Sequence, residues 1–192
     1  DKMGVIENLS AKADYMLFGG AMANTLLAAQ GKNMGASKIE EDKLDVARDM
    51  MEQVANYDCK LVYPVDVVVA DRFAEDANTK VVDVDNIPEG WMALDIGPKT
   101  VAQWAEIFAQ AGTIVWNGPL GVYEMAPFAN GSNEVARAMA NSPAMTVVGG
   151  GDAVAAVKQA GVADKINHLS TGGGASLELL EGKKLPGIQI LS

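Results

Sequence analysis

Cysteine and histidine are almost missing from this chain: Cys59 and His168 are the only ones in 192 residues. A zinc site of Cys and His ligands therefore cannot be assembled within one chain. Nor can a disulfide framework, which suits a reducing compartment. A histidine-dependent triad would have to use His168, and no G-x-S-x-G elbow accompanies it. Positive charge is also scarce. Lys and Arg number 15 against 25 Asp and Glu, a net charge of −10. That balance argues against a general nucleic-acid or anionic-membrane binder. It leaves room for a small anionic ligand, because loops and helix ends can make a local positive site. The apolar runs fall far short of the ~20 residues a membrane span needs. Asp1-Lys2-Met3-Gly4-Val5 is no signal peptide and lacks an initiator Met, so a piece of a longer chain is expected.

What is present is ordinary globular composition, with 49% hydrophobic and 21% charged residues. Short apolar runs at 15–18, 61–63, 65–69, 81–84, 92–94, 113–116, 145–148 and 166–169 are bounded by Gly, Pro or charge. Most read as buried strands. Helix patterns lie between them. Val5, Ile6, Leu9 and Ala13 mark one, and 21–30 another, closed by Gly31. The longest is 40–57, with Leu44, Ala47, Met51 and Val54 on one face. Patterns at 99–111, 133–141, 153–159 and 175–180 follow. This alternation predicts βα units: an α/β fold with a parallel sheet covered on both faces, in one domain spanning 1–192. The stretch 71–88 is the least regular and is expected to hold a β-hairpin or surface excursion.

Four strand ends run directly into glycines. They are Phe18-Gly19-Gly20, Trp116-Asn117-Gly118-Pro119-Leu120-Gly121, Val148-Gly149-Gly150-Gly151-Asp152 and Ser170-Thr171-Gly172-Gly173-Gly174. In an open parallel sheet such ends lie along one edge, where ligands bind. Glycines let the backbone approach a ligand closely. Helices that follow present their first N–H groups and positive dipole ends to an anion. Any one such turn is explained by a tight βα connection. Four on one edge describe a phosphate or nucleotide site. No G-x-x-x-x-G-K-[ST] is present, no G-x-G-x-x-G follows a strand, and the protein-kinase signatures are absent.

Single residues keep two readings each. Asp152 is a helix N-cap or a Mg²⁺ contact beside nucleotide phosphates. Glu124 is a surface carboxylate or a ribose-hydroxyl acceptor. Asn117 donates to phosphate or closes an Asx turn. Lys2 and Lys99 read as solvated lysines, and His168 as a satisfied structural histidine. Trp91, Trp104 and Trp116 read as core, and the ten Met mostly as core filler.

Taken in order, these turns resemble the phosphoglycerate kinase family. The matching segments are Asp1-Lys2, Phe18-Gly19-Gly20-Ala21-Met22-Ala23 and Pro64-Val65-Asp66-Val67-Val68-Val69-Ala70. They continue with Leu94-Asp95-Ile96-Gly97-Pro98-Lys99-Thr100 and Trp116-Asn117-Gly118-Pro119-Leu120-Gly121-Val122. Gly149-Gly150-Gly151-Asp152 and Ser170-Thr171-Gly172-Gly173-Gly174-Ala175-Ser176-Leu177-Glu178 complete the series, which runs on to Leu185-Pro186-Gly187. The resemblance implies a three-layer, Rossmann-like α/β/α domain, the C-terminal nucleotide-binding half of a two-domain enzyme. The family's N-terminal domain, which holds 3-phosphoglycerate, and the strand that opens the C-terminal domain are expected to be absent. Without that strand, exposed sheet edges and poor stability are expected.

The resemblance also implies roles residue by residue. Gly19 and Gly20, flanked by Leu94 and Pro119, resemble the adenine pocket, with Ala93 where the family commonly has glycine. Glu124 matches a ribose contact and Asn117 a phosphate-side asparagine. Gly150, Gly151, Asp152 and Ala153 match the phosphate loop, with Asp152 as the Mg²⁺ contact. Lys2 matches a lysine on nucleotide phosphate. Gly172, Gly173 and Gly174 match amides facing the transferred phosphoryl group. Ala21 and Ala153 depart from a glycine and a hydroxyl residue, respectively. The implied reaction is reversible phosphoryl transfer between 1,3-bisphosphoglycerate and MgADP, giving 3-phosphoglycerate and MgATP in glycolysis. The implied parent is a monomeric, cytoplasmic enzyme without nucleic-acid or membrane partners, and this half alone should turn over little. The alternatives are a non-catalytic adenine-nucleotide module and, more remotely, a dehydrogenase-like domain.

Overall fold

Successive side chains of a strand point to opposite faces, and here that alternation sorts the core into two halves. The structure, a computed structural model, describes residues 2–171 and 188–191. Strand β1 (Tyr15–Phe18) sends Met16 and Phe18 into one apolar cluster and Leu17 into the other. Strand β6 (Thr113–Asn117) does the same with Val115 against Ile114 and Trp116. Helices cover each side. On the first lie α1 (Lys2–Ser10), α2 (Gly20–Ala29) and α3 (Leu44–Val54), which bring in Ile6, Leu9, Leu26 and Met50. On the second lie α4 (Pro98–Gln110), α5 (Asn130–Asn141) and α6 (Gly151–Gln159), with Trp104, Phe108, Val135 and Val157. This is the expected three-layer arrangement.

The strands between these layers are all parallel. Strands β2 (Lys60–Val62), β7 (Met145–Gly149), β8 (His168–Ser170) and β9 (Ile188–Leu191) join β1 and β6 in the order β2-β1-β9-β6-β7-β8. The sequence pattern assigns no strand to 188–191, yet β9 sits at the centre and pairs with β1 on one side and β6 on the other. Gln189 interrupts its apolar run, so no continuous strand pattern announces it. The described sheet is continuous from β2 to β8.

Three of the expected strands go elsewhere. Strands β3 (Asp66–Ala70), β4 (Thr79–Asp83) and β5 (Met92–Ile96) form a second, antiparallel sheet in the order β4-β3-β5. β3 and β4 form a hairpin, but only its loop and second strand fall in 71–88; its first strand precedes the stretch expected to hold one. Beneath this sheet Val67, Val69, Val84 and Ile87 pack with Leu27 and Met34 as a third cluster.

Helix ends follow local chemistry. Gly31, at φ +91°, terminates α2; its N–H donates to Ala28 O and that of Lys32 to Leu27 O. Helix α3 is shorter than the 40–57 pattern, because Glu41–Lys43 forms a 3₁₀ turn and the α-helix stops at Val54. Met50, rather than half-buried Met51, is its fully buried methionine. Helix α4 is capped from outside: Lys99 and Thr100 donate their backbone N–H groups to Asp66 on β3. Trp104 and Trp116 are buried as expected, whereas Trp91 is half-buried, with Lys80 Nζ 4.5 Å above its ring. His168 is exposed, not buried, because β8 is an edge strand whose described neighbour is β7 alone. The 175–180 helix expected from the sequence lies outside the described residues.

Candidate nucleotide site

Parallel register brings the glycine-rich strand ends into one row. Phe18 and Asn117 both pair with Leu191, Asn117 pairs with Gly149, and Gly149 pairs with Ser170. The chain leaves this row through Gly19, Gly118 and Gly150. Gly118 and Gly150 hold φ +89° and +90°, a backbone region that favours glycine. The N–H of Gly150 donates to Ser170 O at 2.8 Å, tying the end of β7 to that of β8. Helix α6 begins immediately, and its first-turn amides, those of Gly151, Asp152 and Ala153, have no acceptor inside the helix. They and the helix dipole favour an anion at this point.

Beside the row lies a cavity of about 770 Å³. It is bounded by the start of α2 (Gly20, Ala21), by β5 (Ala93, Leu94) and by the loop after β6 (Pro119, Leu120). Such a volume and a mainly apolar lining suit a planar organic ligand. The far wall is a built loop. Asn24 Nδ2 donates to Lys38 O, Thr25 Oγ1 accepts from Glu40 N, and Ser37 Oγ accepts from Ala93 N at 2.8 Å. Gly19 serves by being small: its backbone is extended (φ −137°), and a Cβ there would meet Leu120 Cδ2 at 2.5 Å.

The sequence-derived residues fall into two groups. Gly20, Ala93, Leu94 and Pro119 line the cavity, and Gly19 caps α2 behind Leu120. Asn117, Glu124, Gly150, Gly151, Asp152 and Ala153 do not line it; they belong to the neighbouring strand ends and the start of α6. Asn117 Nδ2 is 3.6 Å from where a Cβ on Gly150 would stand, an ordinary contact, so it is the φ of +90° rather than space that favours glycine at 150. Glu124 is exposed, and Ala153 is buried at the base of α6. Lys2 opens α1, and its side chain lies outside the described residues, as do Gly172, Gly173 and Gly174.

Four participants escape the sequence reading. Phe73, on the β3–β4 hairpin loop, lines the cavity while 59% exposed. An aromatic inside the polar run Asp71-Arg72-Phe73-Ala74-Glu75 is the signal that could have found it. Lys38 lines the cavity too, with no signal in the sequence. Tyr123 donates its hydroxyl to Asp152 Oδ1 at 3.2 Å. Burial, then the Asp152 and Glu124 carboxylates, raise this phenol, which keeps it a donor. Asp95 lies under the cavity with Oδ1 accepting from Ile96 N and Oδ2 from Gly131 N. Burial outweighs those two bonds and pushes it up to about 8. Burial, then Asp14, pushes Cys59 up to about 11, leaving that thiol protonated at neutral pH.

A doubly covered parallel sheet with a ligand-sized cavity beside its C-terminal strand ends defines an α/β protein of the doubly wound class, in which ligands bind along that edge. The family model described as phosphoglycerate kinase matches residues 1–183. A phosphoglycerate kinase of Roseiflexus sp. (strain RS-1) is 58% identical over 192 residues, all of this chain and 49% of the relative. That of Herpetosiphon aurantiacus is 53% identical, again over all of this chain and 49% of the relative. The solved phosphoglycerate kinase of Coxiella burnetii superposes with a TM-score of 0.89 at 45% identity, covering 94% of this chain and 47% of that one. The enzyme of Pyrococcus horikoshii OT3 gives 0.78 at 33% identity, covering 96% and 47%. This chain belongs to the phosphoglycerate kinase family. It spans about half the length of the curated relatives it matches.

Proposed function

We propose that these 192 residues form the adenine-nucleotide half of a phosphoglycerate kinase. The full reaction is reversible phosphoryl transfer between 1,3-bisphosphoglycerate and MgADP, giving 3-phosphoglycerate and MgATP. The observation that carries this reading is the row of strand ends at Phe18, Asn117, Gly149 and Ser170 beside the cavity. The base enters between Gly20, Leu94 and Pro119. Glu124 accepts from the ribose, and the phosphates follow the row toward Asn117, Gly150, Gly151 and the amides of α6. Lys2 and the amides of Gly172, Gly173 and Gly174 complete the charge-stabilising set around the transferred group. The acceptor, 3-phosphoglycerate or 1,3-bisphosphoglycerate, is held by the other half of the enzyme, and closure of the two halves excludes water. The parent enzyme is a cytoplasmic monomer that needs no nucleic acid or membrane; among the described residues no helix is long and apolar enough to cross one.

The donor set fits Mg²⁺ delivered with the nucleotide. Asp152 offers one exposed carboxylate, and among the described residues no group of three or more His, Cys, Asp or Glu converges. Mg²⁺ commonly takes one or two carboxylates and fills its shell with phosphate oxygens and water. Once bound, it neutralises charge on the nucleotide phosphates. Asp152 would hold it, while the α6 amides orient the phosphate oxygens.

Calorimetric titration of this chain with ADP, ATP and NAD tests the reading. Saturable ADP binding, strengthened by Mg²⁺ and weakened by Leu94→Asp, is expected. Preference for NAD would overturn it. Adding the complementary half of a relative should restore turnover; binding without any restored turnover would favour a non-catalytic module.

A further inference from the structure

Asp152 stands exposed in the first turn of α6, and no ion pair among the described residues holds it. What reaches it comes from a different element, 29 positions earlier in the chain: the Tyr123 hydroxyl, 3.2 Å from Oδ1. Tyr123 is itself well anchored. It is a central residue of the turn that Met125 N closes on Val122 O at 3.0 Å. Val122 N is fastened to Leu94 O on β5, also at 3.0 Å. Its ring is half-buried against the core beneath α4–α6. An anchored ring with its hydroxyl on an exposed carboxylate restricts the rotamers that carboxylate can sample. One carboxylate oxygen is thereby engaged, and Oδ2 remains for another partner. The same loop supplies Pro119 and Leu120 to the cavity, so cavity wall and carboxylate are set by one piece of backbone.

We propose that Tyr123 is a positioning residue for Asp152, holding its carboxylate at the sheet edge in the orientation that meets a divalent cation carried by a nucleoside diphosphate. The inference rests on the proposed reading of Asp152 as the cation contact. Partners that orient a metal-binding carboxylate affect metal affinity by roughly 10- to 100-fold. This bond faces solvent, so an effect of about three- to tenfold is expected.

The test uses the full chain and calorimetry, with ADP titrated in Mg²⁺ and in chelator, so that the gain from Mg²⁺ is read as a ratio of Kd values. In Tyr123→Phe the affinity for ADP alone should stay within about twofold, while the gain from Mg²⁺ falls about three- to tenfold. In Asp152→Asn the gain should vanish, and adding Tyr123→Phe to that variant should change nothing further. If Asp152→Asn loses the gain and Tyr123→Phe keeps it, the role of Tyr123 is refuted and that of Asp152 stands. If Asp152→Asn keeps the gain, the assignment of Asp152 itself fails. A Tyr123→Phe variant that weakens ADP and MgADP equally would reduce Tyr123 to packing and also overturn the proposal.

Discussion

Asp95 on β5 accepts the backbone N–H of Gly131 at 2.8 Å and so fastens the second sheet to the first turn of α5. The carboxyl is buried deeply enough that its pKa moves from 3.8 up to about 8. Between those two pH values the folded chain binds a proton that the unfolded chain does not. Its contribution is therefore fully present below about pH 4 and is lost as pH rises toward 8. Asp95→Asn removes that slope. It also leaves one backbone N–H facing the amide nitrogen, a pH-independent cost of about 1–3 kcal/mol. Urea unfolding at pH 5 and pH 8 should show wild type losing stability relative to Asp95→Asn as pH rises. A difference that stays constant would mean Asp95 is already ionised in the fold.

The cap on α4 makes a second, independent claim. Asp66 Oδ1 accepts from Thr100 N at 2.9 Å and Thr100 Oγ1 at 2.7 Å, while Oδ2 accepts from Lys99 N at 3.0 Å. Asp66 and Thr100 are 1% and 0% exposed, so water cannot readily replace what is lost. Asp66→Ala should cost about 3 kcal/mol, the range for orphaning buried donors at a helix start. Denaturant titration reads this directly, and a loss under about 1 kcal/mol would show that the amides find other acceptors.

Gly19 tests the cavity wall. Because its backbone is extended, any residue could adopt it; what glycine provides there is room for Leu120. Gly19→Ala should push Leu120 aside and cost about 1–3 kcal/mol through overpacking. Since Leu120 lines the cavity, ADP affinity should also fall severalfold. Unchanged unfolding midpoint and unchanged Kd together would show that Leu120 has space to yield.

The row of strand ends is legible in sequence because its strands are β-branched or aromatic runs stopped by glycine. The runs at 15–18, 113–116 and 145–148 reproduce β1, β6 and β7 to within one residue. Gly20, Ala93, Leu94 and Pro119, all singled out in the sequence, line one cavity. What the pattern does not contain is partnership. Val67 and Val69 read as a buried strand in either sheet, and only the hairpin with β4 decides which one takes them. The hairpin carries no Asn-Gly or Asp-Gly turn to announce it. Tyr123 reads as one more aromatic in a loop, because its link to Asp152 depends on the relative placement of β6 and α6. His168 shows the same limit from the other side: an apolar neighbourhood in sequence predicts burial, while its place on an edge strand leaves it exposed.

Strand β9 offers the sharpest test of the sheet order. Ile190 pairs with Leu17 on β1 and Trp116 on β6, and is 0% exposed. It belongs to the cluster that contains Trp104, Trp116 and Val148. A side chain at that position bridges the two halves of the sheet, so Ile190→Ala should cost about 2–5 kcal/mol, as deep core truncations do. Met145, at the start of β7 and 52% exposed, is the control: Met145→Ala should stay within about 0.5 kcal/mol. Native-state hydrogen exchange adds a second readout. Backbone amides in β9 that bond to β1 and β6 should exchange as slowly as those of β6 itself, because a central strand opens only with the whole sheet. An Ile190→Ala cost below that of Met145→Ala, or fast exchange across 188–191, would place the C-terminal segment outside the sheet and leave β1 and β6 to find another partner.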